Sequence, residues 1–463
     1  DETLVNYNKA ISLKPDYADA LNNKGNVLQE LRRFDEALVD YNKAISLKPD
    51  YADAFNNRGN VLQELRRFDE ALSDYKKAIS LKPDYVDAFN NRGIVLRELG
   101  RFDEALADHN KAISLKPGYA GAFNNRGIVL RELRRFDEAL SDYNKAISLK
   151  PDYAEAHWNK SLQLLLQGEF SSGWKLYDWR WKRKGLSCLK RGYSQPLWLG
   201  KEDLRGKTIL LCWEQGLGDT IQFSRYVKEV SKLGCRVALE VQKPLFELMK
   251  GIMGVDELIE DGGDLPIFDY YCPLMSLPLA LGTTIETIPA GKFYFRSTDD
   301  KLTEWSERLG VKSQPRVGIV WSGSAIHKKD HNRSIALEPL LGAISGNYEL
   351  VSLQKEVREV DLITLERSKY VKHFGADIYD FADTAALCEL MDIIVSVDTS
   401  VAHLAGTLGK PINLLLPYNP DFRWFLDRND SPWYPSMKLF RQGPERLWEP
   451  VMEKVRADLE DRV

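Results

Sequence analysis

Apolar positions recur with helical spacing through the first third of this chain, and the whole pattern returns every 34 residues. Within one unit, the apolar positions of residues 52–65 predict a first helix and those of residues 68–81 predict a second, which ends before Pro83. Each unit also has a small residue where its helices must approach closely. These residues are Gly25, Gly59, Gly93 and Gly127 in the first helices and Ala37, Ala71, Ala105 and Ala139 in the second helices. The pattern predicts an α-helical solenoid of paired helices.

A period of 34 with an early Gly, a central Ala and a late Pro is typical of tetratricopeptide repeats. Residues 1–17 form half a unit, and four full units follow at 18–51, 52–85, 86–119 and 120–153. A degenerate unit, 154–187, replaces the Gly by Ser161 and the central Ala by Gly173. It also contains Trp158, Trp174, Trp179 and Trp181. We expect these tryptophans to pack the array onto the next domain, and a sugar-stacking platform is the alternative.

One asparagine recurs at a fixed position of every first helix, namely Asn23, Asn57, Asn91, Asn125 and Asn159. Because first helices line the concave wall of such an array, the amides should stack into a ladder. An amide both donates and accepts, so the ladder suits a peptide backbone of any sequence. It resembles the peptide-binding superhelix of the nucleocytoplasmic O-GlcNAc transferase. Copying by recent duplication is the alternative interpretation.

Beyond a basic, aromatic connector near Trp181, the pattern changes to alternating strands and helices. Residues 208–212 predict a strand buried on both faces, and residues 221–233 predict its crossover helix. A second series begins at residue 316, with strands predicted at 348–353, 393–397 and 412–416. We therefore expect an array at 1–187, followed by two Rossmann-like doubly wound domains at 188–300 and 301–463. The second domain should close with a helix over residues 447–459.

Three blocks in this half resemble glycosyltransferase family 9, the heptosyltransferases of lipopolysaccharide assembly. They are GLGDTIQF at 216–223, Trp-Ser-Gly-Ser at 321–324, and FADTAALCELMDIIVSVDTSVAHLAGTLGKPI at 381–412. The resemblance covers about residues 205–445 and implies the two-domain GT-B fold. The combination of repeats and transferase is also similar to bacterial repeat-bearing glycosyltransferases, some of which modify flagellin.

The resemblance implies that Asp219 is the general base of an inverting transfer. Asp219 follows a glycine turn at the carboxyl end of a predicted strand, where open α/β sheets place reactive groups. An ordinary helix cap is the alternative. For the nucleotide-sugar donor we predict two groups of binding residues. They are the small-residue turn of Ser322, Gly323 and Ser324, and the helix start of Asp398, Thr399, Ser400 and His403.

Two further residues are candidates for the donor site. Arg333 is suited to a bidentate clamp on phosphate, and Gln354 ends a strand from which it could read a base edge, with a solvated side chain as the alternative. Asn332 stands where the heptosyltransferases have a lysine, so the identity of the donor is left open. Lys328 and Lys329 are expected to be solvated loop charges.

Composition excludes several classes of protein. A formal net charge of -4 argues against a nucleic-acid partner, and no apolar run approaches the ~20 residues of a membrane span. The five cysteines lack CxxC spacing, and no paired metal-binding carboxylates follow a strand, so we expect no metal, no cofactor and a cytoplasmic location. The chain begins at Asp1 within a repeat, so we expect the natural protein to be longer.

The sequence thus predicts an inverting, metal-independent glycosyltransferase that modifies a protein or peptide held by the repeats. Two alternatives are an enzyme of lipopolysaccharide or capsule assembly with the repeats as a docking module, and a non-catalytic scaffold.

Overall fold

The structure is a computed structural model that describes residues 2–183, 192–290, 294–324, 330–344 and 346–462. It contains two compact units, Asp1–Gln163 and Leu164–Val463. The division falls within a helix of the degenerate repeat, whereas the sequence boundary was set at residue 187. The second helix of that repeat therefore belongs to the second unit.

The first unit is a solenoid of helix pairs, as the 34-residue pattern predicts. Its helices are α1 Glu2–Leu13, α2 Ala18–Glu30, α3 Phe34–Leu47, α4 Ala52–Glu64, α5 Phe68–Leu81, α6 Val86–Glu98, α7 Phe102–Leu115, α8 Ala120–Glu132, α9 Phe136–Leu149 and α10 Ala154–Leu166. The central alanines are fully buried between the helices.

The early glycine of each unit lets a ring of the second helix lie directly on the first. A Cβ at Gly59 would be 2.7 Å from Cε1 of Tyr75, and a Cβ at Gly25 would be 2.6 Å from the same atom of Tyr41. Both tyrosines are fully buried, so neither ring has room to move. The glycine is therefore required by packing.

The first sheet of the second unit is parallel and has four strands in the order β3-β2-β1-β4. Its strands are β1 Thr208–Cys212, β2 Arg236–Val241, β3 Glu257–Glu260 and β4 Tyr270–Pro273. The helices before and within this part are α11 Phe170–Tyr177, α12 Leu217–Phe223, α13 Val227–Ser231, α14 Phe246–Met249 and α15 Leu277–Ala280.

The crossover after β1 is divided, although the sequence predicts one helix over residues 221–233. A 3-10 turn at Ser224–Tyr226 separates α12 from α13. The Arg225 Nε donates to the carbonyl of Gln222 at 2.8 Å, and the Tyr294 hydroxyl donates to that of Ile221 at 3.0 Å. Side chains that bond these carbonyls interrupt the helical ladder.

The second sheet is parallel with six strands in the order β10-β9-β8-β5-β6-β7. Counted from β5, this is the 3-2-1-4-5-6 order of doubly wound dinucleotide-binding sheets. The strands are β5 Arg316–Val320, β6 Glu349–Ser352, β7 Val371–His373, β8 Ile393–Val397, β9 Ile412–Leu416 and β10 Met437–Arg441. The helices are α16 Asp299–Leu309, α17 Asp330–Arg333, α18 Leu337–Ala343, α19 Glu359–Arg367, α20 Phe381–Glu389, α21 Ser400–Thr407 and α22 Glu449–Arg462.

Helix α22, near the end of the chain where the sequence predicts a helix over residues 447–459, packs on the six-stranded sheet. Val451, Met452, Val455 and Leu459 join the core that α18 and the strands form. The predicted boundary between the two domains, at residues 300 and 301, falls within α16, whose Lys301 pairs with the buried Asp383 of α20.

No helix among the described residues is long and apolar enough to cross a lipid bilayer. Cys212, Cys235, Cys272 and Cys388 are free thiols, and Cys188 lies outside the described residues.

We predict that Gly59→Ala lowers the stability of the array. An added methyl in a full core costs about 1–3 kcal/mol, which exceeds the helix-propensity gain of up to ~1 kcal/mol. Thermal unfolding followed by circular dichroism should therefore show a lower midpoint. Gly118→Ala is the matched control, because a Cβ at Gly118 meets nothing within 4 Å. An unchanged midpoint for Gly59→Ala would contradict the packing argument.

Candidate functional site

Asp219 lies in the first turn of α12, directly after the loop that follows β1. Its Oδ2 accepts a 2.8 Å hydrogen bond from the Gly216 backbone N–H, as a helix-capping carboxylate does. Its Oδ1 pairs with Arg423, which comes from the loop after β9 of the other sheet. Asp219 thus caps its helix, as the alternative interpretation expects, and its role as a general base stays a prediction.

Arg423 is the centre of this polar cluster. Its Nη1 donates to Asp421 Oδ1 at 2.8 Å, and its Nε donates to Gln222. Burial works against the charged form, but the carboxylates of Asp421 and Asp219 hold the pKa of Arg423 above its ordinary value. Arg423 is not among the site residues predicted from the sequence. Its position in a polar loop at the carboxyl end of a predicted strand was the signal that could have revealed it.

The two sheets meet where α12 approaches α21. A Cβ added to Gly218 would be 2.9 Å from Cδ2 of His403 and 3.3 Å from Cα of Ser400. A glycine at 218 therefore allows the helix of Asp219 to lie against the helix of His403. The predicted base and this predicted donor-binding residue are on neighbouring elements.

His403 is buried, and its two ring nitrogens have different surroundings. Nδ1 lies 2.9 Å from the Tyr434 hydroxyl, while Nε2 is 3.8 Å from Asp398 Oδ1. The ring stacks on Trp424 at 5.3 Å between centroids. Burial, aided by the positive charges of Arg423 and nearby arginines, lowers the pKa of His403 well below its ordinary value. The imidazole is therefore neutral at physiological pH.

Asp398 follows β8 at the point where the strand order reverses between β5 and β8. Burial and the neighbouring Asp421 carboxylate raise the pKa of Asp398 to about 6, although Arg333 acts in the opposite direction. Ligands of doubly wound sheets bind at such a reversal. Perturbed carboxylates are common at functional sites.

Thr399 and Ser400 begin α21 beside Asp398. Thr399 is the N-cap residue, but its side chain does not cap the helix. Its buried hydroxyl has no hydrogen-bond partner among the described residues. A buried hydroxyl without a partner carries a free-energy cost unless a ligand or water bonds it. The start of α21 thus offers an unused polar group.

The turn after β5 is held by Gln354. The Gln354 Oε1 accepts from the backbone N–H groups of Trp321 and Ser322 at 2.9 and 2.8 Å. Its Nε2 donates to Ser322 Oγ and to the Glu356 carbonyl. The alternative of a solvated Gln354 is wrong, because the side chain is buried in this network. A base contact stays a prediction that would require these bonds to change.

Gly323, Ser324 and Arg333 lie on or near this turn. The Gly323 N–H donates to Ser334 Oγ at 3.1 Å, and Ser324 is exposed. Arg333 donates through Nη1 to the Asp398 carbonyl at 2.8 Å and through Nε to Asp330 at 3.1 Å. With two of its three nitrogens bonded to the protein, Arg333 is not arranged as a free bidentate clamp. Lys328 and Lys329 lie outside the described residues.

Helix α11 of the degenerate repeat belongs to the second unit and packs within it. Trp174 of α11 is buried, with edge contacts to Phe223 of α12 at 6.2 Å and to Phe422 at 5.7 Å. A buried ring is no open platform for a sugar, so that alternative is wrong for Trp174. Arg180, which follows α11 in the sequence, is also buried. Its guanidinium forms a bidentate ion pair with Glu214 in the loop after β1.

The asparagine ladder of the first unit is present, and its amides bond between repeats. Asn57, Asn91, Asn125 and Asn159 donate to Asn22, Asn56, Asn90 and Asn124 of the preceding units at 2.9–3.2 Å. The acceptor asparagines are buried, whereas Asn23 is exposed and the other ladder residues are half-buried. The ladder thus contributes to the cohesion of the solenoid, and peptide binding stays a prediction.

Comparison with known proteins identifies the repeats. Residues 18–51, 52–85, 86–119 and 120–153 each match the tetratricopeptide repeat model, so the first unit is a tetratricopeptide array. It is followed by an α/β region of parallel sheets.

The chain is also similar to particular proteins. Protein FlbA of Caulobacter vibrioides is 27% identical over 332 residues, which are 64% of this chain and 54% of FlbA. The chain thus spans about half the length of that relative. Among solved structures, YrrB, "a TPR protein with an unusual peptide-binding site", is 26% identical with a TM-score of 0.32, covering 38% of this chain and 91% of YrrB. The first repeat domain of Spaghetti (RPAP3), bound to an HSP90 peptide, is 28% identical with a TM-score of 0.25, covering 25% of this chain and 93% of that domain.

We predict that Asp398→Asn changes how stability depends on pH. Because the pKa of Asp398 is raised to about 6 in the folded protein, the protonated form is favoured by folding. The wild-type protein should lose this contribution as pH rises from ~4 to ~6, by up to about 3 kcal/mol. The amide of the variant does not titrate. The free energy of unfolding of the variant should therefore rise relative to that of the wild type as pH increases over this range.

Denaturant unfolding at pH 4.5 and pH 7 measures the difference. Asp264→Asn, at an exposed aspartate, is the control. Its free energy of unfolding should change between the two pH values by the same amount as that of the wild type. If the free energy of unfolding of Asp398→Asn changed with pH as that of the wild type does, the prediction would be contradicted.

Proposed function

We propose that this protein is an inverting, metal-independent glycosyltransferase with a GT-B-like catalytic region, and that it transfers a sugar from a nucleotide-sugar donor to a protein or peptide held by its repeats. One observation carries the proposal. The helix of Asp219 and the helix of His403 come from different parallel sheets and touch at Gly218. A carboxylate base and a phosphate-binding helix start are thereby available to one reaction.

In the proposed reaction, Asp219 accepts the proton of the acceptor hydroxyl. The acceptor oxygen forms a bond to the anomeric carbon as the bond from that carbon to the diphosphate oxygen breaks. The electron pair of the broken bond leaves with the nucleotide diphosphate. A general base placed in this way typically accelerates the reaction by ~10²–10⁴-fold.

Arg423 and the start of α21 would stabilise the leaving group. The Arg423 guanidinium is buried beside Asp219, where a positive charge acts more strongly than in water. At α21, the free Thr399 hydroxyl can donate to a phosphate oxygen. When the Tyr434 hydroxyl donates to His403 Nδ1, the ring hydrogen is on Nε2, which can donate as well.

The acceptor side of the proposal depends on the array. Tetratricopeptide units present repeated concave positions, and the ladder amides are half-buried on the first helices. Each hydrogen bond of an asparagine side chain contributes only ~1 kcal/mol to binding. Several units would therefore have to bind a polypeptide together.

A screen of nucleotide sugars by thermal stabilisation of the full chain tests the donor half. A ligand at a hundredfold excess over its dissociation constant stabilises by about 2.7 kcal/mol. The cognate donor should therefore raise the melting midpoint above that seen with its free sugar. If no nucleotide or nucleotide sugar stabilises the protein, the proposal fails.

We predict that Asp219→Asn abolishes sugar transfer, by at least ~10²-fold, because the amide cannot accept the proton. Transfer is measured with the donor found in the screen, and nucleotide binding by calorimetry should persist. Asp427→Asn, an exposed carboxylate in the loop of Arg423, is the matched control and should keep full activity. Equal activity of Asp219→Asn and the control would remove Asp219 from the mechanism.

We further predict that replacing Asn57, Asn91 and Asn125 together by Ala weakens polypeptide acceptors and leaves hydrolysis of the donor unchanged. The measured quantities are the KM for a protein acceptor and the rate of donor hydrolysis. The substitutions also remove inter-repeat bonds, so the melting midpoint is recorded in parallel. If transfer and hydrolysis fell together, the ladder would have only a structural role.

A further inference from the structure

The first helices of the array change their chemistry halfway along the solenoid. In the first full unit, the Tyr41 hydroxyl donates to Asn26 Oδ1 at 2.8 Å and lies 3.3 Å from Gln29 Oε1. In the second unit, the Tyr75 hydroxyl has the same relation to Asn60 and Gln63, at 2.9 and 3.2 Å. A buried ring is thus satisfied by two amides of the first helix.

The third and fourth units lack both amides. Their first helices carry Ile94 and Arg97, and Ile128 and Arg131, at the equivalent positions. The buried rings below are His109 and Tyr143. Among the described residues, there is no hydrogen-bond partner for either ring nitrogen of His109 or for the hydroxyl of Tyr143.

This exchange is unfavourable for the fold alone. A buried polar group that loses its partner costs free energy, whereas the first two units show that the same scaffold can satisfy it. The same Ile–Arg pair nevertheless stands in both units. Because these side chains do not stabilise the fold, we expect them to serve in binding a ligand.

The Ile–Arg positions adjoin the ladder. Asn91 donates to Asn56 and also, at 2.9 Å, to Asn60, which places the position of Asn60 beside the next ladder amide. Ile94 holds that position one unit later, and Asn125 donates to Asn90 alone among the described residues. Ile94, Arg97, Ile128 and Arg131 are all half-buried, so part of each side chain is open to a ligand.

The exchange also changes the charge of the groove. Each of the third and fourth units gains one cation relative to the neutral Gln29 and Gln63. Arg97 pairs with its neighbour Glu98, and the two side chains are 20% and 35% exposed. A partly exposed pair of adjacent residues is weak, so a ligand carboxylate can replace Glu98 at little cost.

We propose that Ile94, Arg97, Ile128 and Arg131 form a subsite for an extended peptide that combines apolar and acidic side chains. Apolar side chains of the peptide would pack on the isoleucines, and its carboxylates would accept from the arginines. One Ile–Arg pair per unit repeats this preference along the groove. The inference rests on the peptide-holding part of the proposed function and adds the class of peptide.

The test transplants the residues of the second unit into the fourth. Ile128→Asn with Arg131→Gln restores the two amides next to Tyr143 and removes the half of the subsite that lies in the fourth unit. Fluorescence anisotropy of the full chain is measured with a labelled peptide in which Val, Ser and Asp alternate, and with a second peptide in which Asn replaces Asp. We expect the wild type to prefer the acidic peptide by about tenfold, and the double variant, which keeps Ile94 and Arg97, to retain a preference of only about threefold.

The thermal midpoint separates function from stability. Because Tyr143 regains its partners, the midpoint should stay the same or rise while acidic-peptide binding falls. Arg135→Gln, which removes an exposed cation paired with Glu138 on the second helix, is the charge-matched control and should keep the preference.

The outcomes distinguish the two proposals. Equal binding of both peptides by the wild type, or an unchanged preference in the double variant, overturns the subsite while the array still holds peptides. Absence of any peptide binding overturns both the subsite and the peptide-holding part of the proposed function.

Discussion

The contact between α12 and α21 is the constraint on which the candidate site depends. Because residue 218 has no side chain, the helix that carries Asp219 lies against His403 and Ser400. The buried Arg423 then reaches from the second sheet to Asp219 and Gln222 of the first. A larger residue at 218 would separate the helices and with them the charges. Backbone proximity and one buried cation therefore decide the geometry together.

The charged groups at this site have unequal surroundings. Arg423 pairs with both Asp219 and Asp421, whereas the electrostatic neighbours of Asp398 include the Asp421 carboxylate and the Arg333 cation. Burial and the neighbouring Asp421 carboxylate raise the pKa of Asp398. His403 remains neutral because burial, and then the nearby arginines, lower the pKa of its imidazole. Such a set of unequal titrating groups is suited to the proton and phosphate chemistry that we propose.

Much of the fold follows from sequence pattern, and the site follows only in part. The 34-residue repeat and the strands β1, β5, β8 and β9 are visible in the sequence because buried apolar runs and helix periodicity are local signals. The polar groups after those strands were predicted for the same reason. Arg423 was missed, and the hydrogen bonds of Gln354 and Arg333 were not foreseen, since each of these three residues has a partner that is 33 to 204 residues distant in the sequence.

The sequence alone determined the helical array, the parallel α/β region and the identity of the polar residues at the strand ends, because each depends on neighbours along the chain. Tertiary structure decided which of those residues meet. The pairing of Asp219 with Arg423, the inter-repeat bonds of the ladder and the unsatisfied rings of His109 and Tyr143 depend on distances between segments far apart in sequence. Packing sets those distances, and no local pattern encodes them.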